Sequence, residues 1–134
     1  MENETYTIPC LINGNIRDVS IELSEDKLCK VTFKDGESIL SFEAENYWEA
    51  LIELRKKLEA LNTKLFCKGC ARNVYPSPMI LDMGDARRAY MLTLGQQAHM
   101  KDLVFIFDQC DPDEYASIEE QEAFYDAWIN GEKC

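Results

Sequence analysis

Positive charge is missing from a long stretch near the end of this 134-residue chain. From Asp102 to Glu132 there is no lysine or arginine, against ten carboxylates at Asp102, Asp108, Asp111, Asp113, Glu114, Glu119, Glu120, Glu122, Asp126 and Glu132. Histidine occurs once, at His99. Glycine is too scattered to form a phosphate-binding loop: Gly84 and Gly95 stand alone. No Gly-x-Ser-x-Gly elbow is present, and Ser77 sits between two prolines. A single histidine serves as a general base only beside a nucleophile and an orienting carboxylate. Enzyme chemistry is therefore unsupported, and chance pairs such as Asp82 and Asp85 do not restore it in a chain with 25 acids.

Long apolar runs are absent as well. Stretches such as Leu103-Val104-Phe105-Ile106-Phe107 fall far short of the roughly 20 residues that span a bilayer. Met1-Glu2-Asn3-Glu4 lacks the basic start and apolar stretch of a secretory leader, so a cytoplasmic location is expected. In a reducing compartment, the six cysteines (Cys10, Cys29, Cys67, Cys70, Cys110, Cys134) read as thiols rather than as a disulfide framework.

What is present is enough for one folded domain covering residues 1–134. Apolar residues make up 46% of the chain, too many for disorder despite a net charge of −11. The first 43 residues alternate as strands. Tyr6, Ile8 and Leu11-Ile12 lead into an Asn13-Gly14-Asn15 turn. Val19, Ile21 and Leu23 follow, turning at Ser24-Glu25-Asp26, and then Cys29, Val31 and Phe33 run to Asp35-Gly36. Glu37 to Phe42 returns as a fourth strand.

The period then lengthens. Tyr47, Trp48, Leu51, Leu54, Leu58 and Leu61 form one stripe of an amphipathic helix, started at Glu45-Asn46 and closed at Asn62. Arg55-Lys56-Lys57 are placed near its negative end. Short strands are predicted at Lys64–Cys67, Arg88–Leu94 and Asp102–Phe107. Between them, Lys68 to Asp85 reads as irregular, with Pro76 and Pro78 barring an interior strand or helix. Ser117-Ile118-Glu119-Glu120 has the form of a capping box. It opens a last helix with an apolar face at Ala123, Phe124, Ala127 and Trp128, ended by Asn130-Gly131. The sum is an α+β fold: an antiparallel sheet of about six to seven strands, a central amphipathic helix, and a C-terminal helix packed on it.

Two constellations carry chemistry. Cys67-Lys68-Gly69-Cys70 places two thiols at a spacing that suits a shared metal or a redox disulfide. Ala71 to Pro76 does not look like the helix start that a redox pair needs, and a zinc site could be completed only by His99 and Cys110. No cofactor or metal is expected; these four residues are the metal candidates. The second constellation is the acidic stretch itself. A surface of one sign repels phosphate backbones and anionic membranes and speeds encounter with a basic protein, although acidic faces also simply keep proteins in solution. Asp108, Asp111, Asp113, Glu114, Glu119 and Glu122 are the candidate steering acids, and Tyr75, Tyr115 and Tyr125 the candidate anchors.

One further pattern runs through Leu65-Phe66-Cys67-Lys68-Gly69-Cys70-Ala71-Arg72-Asn73-Val74-Tyr75-Pro76-Ser77 and Asp82-Met83-Gly84. It continues through Ala89-Tyr90, Leu94-Gly95, Asp102-Leu103-Val104 and Ile106-Phe107-Asp108 to the closing Glu120–Trp128 segment. Across roughly residues 45–130 this pattern resembles the small immunity proteins encoded beside bacterial polymorphic toxins, including those of contact-dependent growth inhibition. The resemblance implies a cytoplasmic, non-catalytic protein that binds and blocks a basic, nuclease-type toxin domain. It assigns no contact residues. The rival expectations are a metal-binding or redox module on Cys67 and Cys70, and a homodimer formed through the sheet edge.

Overall fold

Asn13 and Gly14 both take positive φ, 52° and 82°, the backbone of a tight two-residue hairpin. In the computed structural model, which describes residues 4–132, this turn joins β1 (Glu4–Ile12) to β2 (Asn15–Glu25) in register from Glu4↔Leu23 to Ile12↔Asn15. Met1, Glu2, Asn3, Lys133 and Cys134 lie outside the described residues, as do the side chains of Met83 and Glu132. The second strand runs to Glu25, so the chain turns slightly later than Ser24-Glu25-Asp26 suggested. β3 (Cys29–Asp35) and β4 (Ser38–Ala44) complete the meander, with the positive φ of Gly36 at their turn.

A short β5 (Lys64–Leu65) adds to the other edge, giving the antiparallel order β4-β3-β2-β1-β5. Alternation decides which face is covered. Ile8 and Cys10, Val19, Ile21 and Leu23, and Val31 and Phe33 are buried on one face. Against them lies α1 (Tyr47–Ala60). Asn46 caps it, its side-chain oxygen accepting from the Glu49 N–H at 2.8 Å. Asn62, at φ 53°, ends it as expected.

The stripe on α1 is wider than the apolar period alone. Tyr47, Trp48, Ala50, Leu51, Leu54 and Leu58 are buried, and so is Arg55, at 2% exposure. Arg55 is thus part of the interior and not, like Lys56 and Lys57, an exposed charge near the helix end.

Eight strands and three α-helices among the described residues make the fold α+β. The strands divide between two antiparallel sheets, of five and three. The smaller has the order β6-β7-β8, from β6 (Val74–Tyr75), β7 (Arg88–Met91) and β8 (Leu103–Phe105). Arg87 ties it to the first sheet. Its guanidinium pairs with Glu4 and with Asp85 (2.8 Å), lies 3.8 Å from Glu25, and covers the Tyr47 ring at 5.0 Å.

The stretch expected to be irregular contains β6 and a six-residue helix, α2 (Pro78–Met83). Proline is compatible with this helix because Pro78 occupies its first turn, where an amide donor has no intrahelical acceptor. Ser77 caps it by accepting from the Ile80 N–H at 3.1 Å.

The C-terminal α3 (Ile118–Glu132) starts at the expected capping box. Ser117 Oγ accepts from the Glu120 N–H at 3.1 Å, and the Glu120 carboxylate accepts from the Ser117 N–H at 2.8 Å. Its inward face differs from the expected one. Gln121 is buried at 1% exposure and Phe124, Tyr125 and Trp128 are half-buried, whereas Ala123 and Ala127 face solvent. The helix runs through Asn130-Gly131 to Glu132. No helix among the described residues is long and apolar enough to cross a membrane.

Candidate docking face and buried dithiol

α3 meets α1 and β6 through aromatic rings. Trp48 of α1 packs edge-on against Tyr75 at 5.4 Å between centroids. Tyr75 stacks on Tyr125 at 4.0 Å and 12°, and Tyr125 lies nearly parallel to Trp128 at 6.1 Å and 19°. The Trp128 indole N–H donates to the Gln96 carbonyl at 2.9 Å, which holds the end of this ladder. Burial raises the Tyr75 phenol above its ordinary value, and the nearby Glu122, Tyr125 and Asp126 raise it further. The ladder is therefore half-exposed and bordered by carboxylates of α3.

The predicted steering acids fall into two places. Asp108, Asp111 and Asp113 are exposed on the loop between β8 and α3. Glu114, on the same loop, is held within the fold. Its carboxylate accepts from the Asp111 N–H at 3.0 Å and from Lys68 at 3.2 Å, and these contacts, the backbone bond foremost, hold its pKa below the usual carboxylate value. Glu119 and Glu122 are exposed on α3. Among the described residues, Lys68–Glu114 is the one ion pair made by a carboxylate after Lys101.

The predicted anchors separate as well. Tyr75 and Tyr125 share the ladder. Tyr115 packs edge-on to Phe66 at 6.0 Å with Lys64 over its ring at 5.4 Å, so its ring serves the packing of the loop.

The Cys67-x-x-Cys70 turn lies inside the protein. Cys67 and Cys70 are both fully buried, with their sulfurs 3.6 Å apart. Cys67 precedes a single turn of 3-10 helix, Lys68–Cys70, and makes an isolated antiparallel bridge with Gln109. All five described cysteines are free and buried. Burial pushes Cys10 and Cys110 up to about 12 and Cys29 to about 11.

Cys70 departs from this pattern. Burial raises it, but the hydrogen bond with Cys67 and the Arg55 guanidinium overcome that and bring it down to about 7, while Cys67 moves up. Arg55 itself donates to the carbonyls of Gly69 (3.1 Å) and Ala116 (2.8 Å) and to Gln121 Oε1 (2.7 Å).

Of the other metal candidates, Cys110 is buried near the pair. His99 is exposed at a separate 3-10 turn, its backbone N–H donating to Asp102 at 2.9 Å. No three His, Cys, Asp or Glu side chains among the described residues are arranged to hold a metal ion.

Alongside the ladder lie residues that the sequence reading did not select. Glu45, just before α1, and Glu49 and Glu53 on its exposed side recur every four residues and line a groove with Glu122. Their four-residue spacing, one helical turn apart, is the signal in the sequence that points to them. The chain matches no protein-family profile and no curated protein sequence.

Proposed function

We propose that this protein is a cytoplasmic, non-catalytic inhibitor that binds a basic toxin domain and blocks it, in the manner of a polymorphic-toxin immunity protein. One observation carries this reading. Among the described residues, the carboxylates from Asp102 to Asp126 include a single cation-paired member, Glu114, and part of that acidic surface borders a half-exposed stack of aromatic rings. Unpaired carboxylates steer a cationic partner, and aromatic side chains give a complex its slow dissociation. The resemblance across residues 45–130 supports the same reading. Nucleic acid and anionic membranes are disfavoured as partners by the sign of this surface.

The test is co-expression with the C-terminal domain of the protein encoded immediately upstream. A stoichiometric complex that abolishes that domain's toxicity supports the reading. A neighbour that is harmless alone and forms no complex removes it.

A second reading rests on the buried sulfurs at 3.6 Å with a thiol at about 7: a dithiol that cycles with a disulfide. A mass decrease of two hydrogens under a mild disulfide oxidant, lost in Cys67→Ser, supports it, and an unchanged mass removes it.

A further inference from the structure

α1, α2 and α3 enclose a groove of about 600 Å³ that the acidic stretch of the sequence did not reveal. Its apolar lining includes Trp48 and Ile52 of α1, Tyr75 of β6 and Leu81 of α2. Along its rim stand Glu45 just before α1, Glu49 and Glu53 from α1, and Glu122 from α3, all exposed. Lys56 is the one basic residue lining it, and its ammonium is taken by Glu53 at 3.0 Å. Glu49 accepts from the uncharged Asn46 amide at 3.0 Å. No described lysine or arginine pairs with Glu45, Glu49 or Glu122.

From this arrangement we infer that the groove is the docking site for a cationic amphipathic segment of the partner protein, apolar side chains inward and lysine or arginine on the acidic rim. The inference rests on the proposed function and locates its contact surface. Charge complementarity selects the occupant. Three unpaired carboxylates around an apolar floor repel an acidic peptide and match a helix that alternates apolar and basic residues at spacings of three and four. A bound metal does not fit, because these carboxylates do not converge on one point. A small polycation satisfies the rim but leaves the floor uncovered. Tyr75 also lines a second groove, of about 470 Å³, together with Tyr125 and Trp128, so the ladder runs from the floor of the docking site into its neighbour.

The test needs no toxin. A short amphipathic lysine–leucine peptide, its glutamate–leucine counterpart and spermine are titrated into the full chain at physiological ionic strength, followed by two-dimensional NMR. The cationic peptide is expected to give saturable shifts at Trp48, Ile52 and Leu81. Glu45→Lys/Glu53→Lys, a pair of exposed positions, is expected to weaken it by about tenfold or more. Asp111→Lys/Asp113→Lys, on the loop before α3, is expected to change affinity by about twofold or less.

Shifts centred on Asp108–Glu114, absence of saturation, equal binding of the glutamate peptide, or spermine matching the lysine peptide each overturn the inference. The two proposals fail separately. A toxin complex that forms normally with Glu45→Lys/Glu53→Lys keeps the inhibitor reading and rejects the groove. Groove binding of the peptide with no toxin complex does the reverse.

Discussion

The Arg55 guanidinium donates to the side-chain oxygen of Gln121 at 2.7 Å, with both residues almost wholly buried. Among the described residues, no carboxylate forms an ion pair with this cation. Carbonyl oxygens of Gly69 and Ala116 supply its other partners, and Gln121 donates in turn to the carbonyls of Gly69 (3.0 Å) and Ala71 (2.8 Å). One polar cluster thereby fastens α3 and the dithiol turn to α1. A buried network of this kind is costly to break because each orphaned group keeps its desolvation penalty.

Replacing Gln121 by Leu is therefore expected to destabilise the protein by about 2–3 kcal/mol. The urea midpoint should fall with an unchanged m-value. The double variant Arg55→Met/Gln121→Leu should cost less than the sum of the two single changes, since the second removes groups that the first has already orphaned.

Gly69 has no room for a side chain. A Cβ there meets Leu51 Cδ2 at 2.5 Å and the Ile106 carbonyl oxygen at 3.2 Å. Leu51 is itself fully buried, so the Leu51 side chain must be displaced within packed surroundings. Gly69→Ala is expected to cost about 1–3 kcal/mol, read from the same denaturation curves.

The thiols should titrate in widely separated steps. In a Cys134→Ser background, thiolate absorbance is expected to rise near pH 7 for the Cys67–Cys70 pair and again near pH 11 for Cys29. The sign for stability follows from Cys70 lying below its ordinary 9.0. Its contribution is fully present above about pH 9 and is lost as pH falls through about 7. Wild-type stability should therefore rise from pH 6 to 9 relative to Cys70→Ser. A parallel pH dependence of the two proteins would show that Cys70 stays protonated.

Association with a basic toxin domain should slow steeply as salt rises, by about tenfold or more once the Debye length falls well below 10 Å. Asp111→Lys/Asp113→Lys should lower the low-salt association rate and leave dissociation nearly unchanged, because both side chains are exposed and neither makes an ion pair among the described residues. Stopped-flow mixing measures both. Glu114 is unsuitable for this test, since reversing it also breaks the Lys68 contact and the loop hydrogen bond.

Local rules were legible in the chain. The hairpin at Asn13-Gly14, the alternation of Val19, Ile21 and Leu23, the Asn46 start of α1 and the Ser117–Glu120 box each depend on residues a few positions apart. A strand pleat or a helix cap is settled over such distances by backbone sterics and a single hydrogen bond. The sequence by itself thus determined the meander, the two long helices, and the acidity of the C-terminal stretch.

Tertiary structure decided what those elements share. It buried Arg55, which local pattern placed near a helix end, and turned Gln121 inward where small apolar residues were expected. The division of strands into two sheets, the pairing of Glu114 with Lys68, and the meeting of the α1 acids with Glu122 also belong to it. The physical reason is the same in each case: burial energy and charge proximity depend on distances in space, and residues far apart in the chain acquire those distances only when the helices pack.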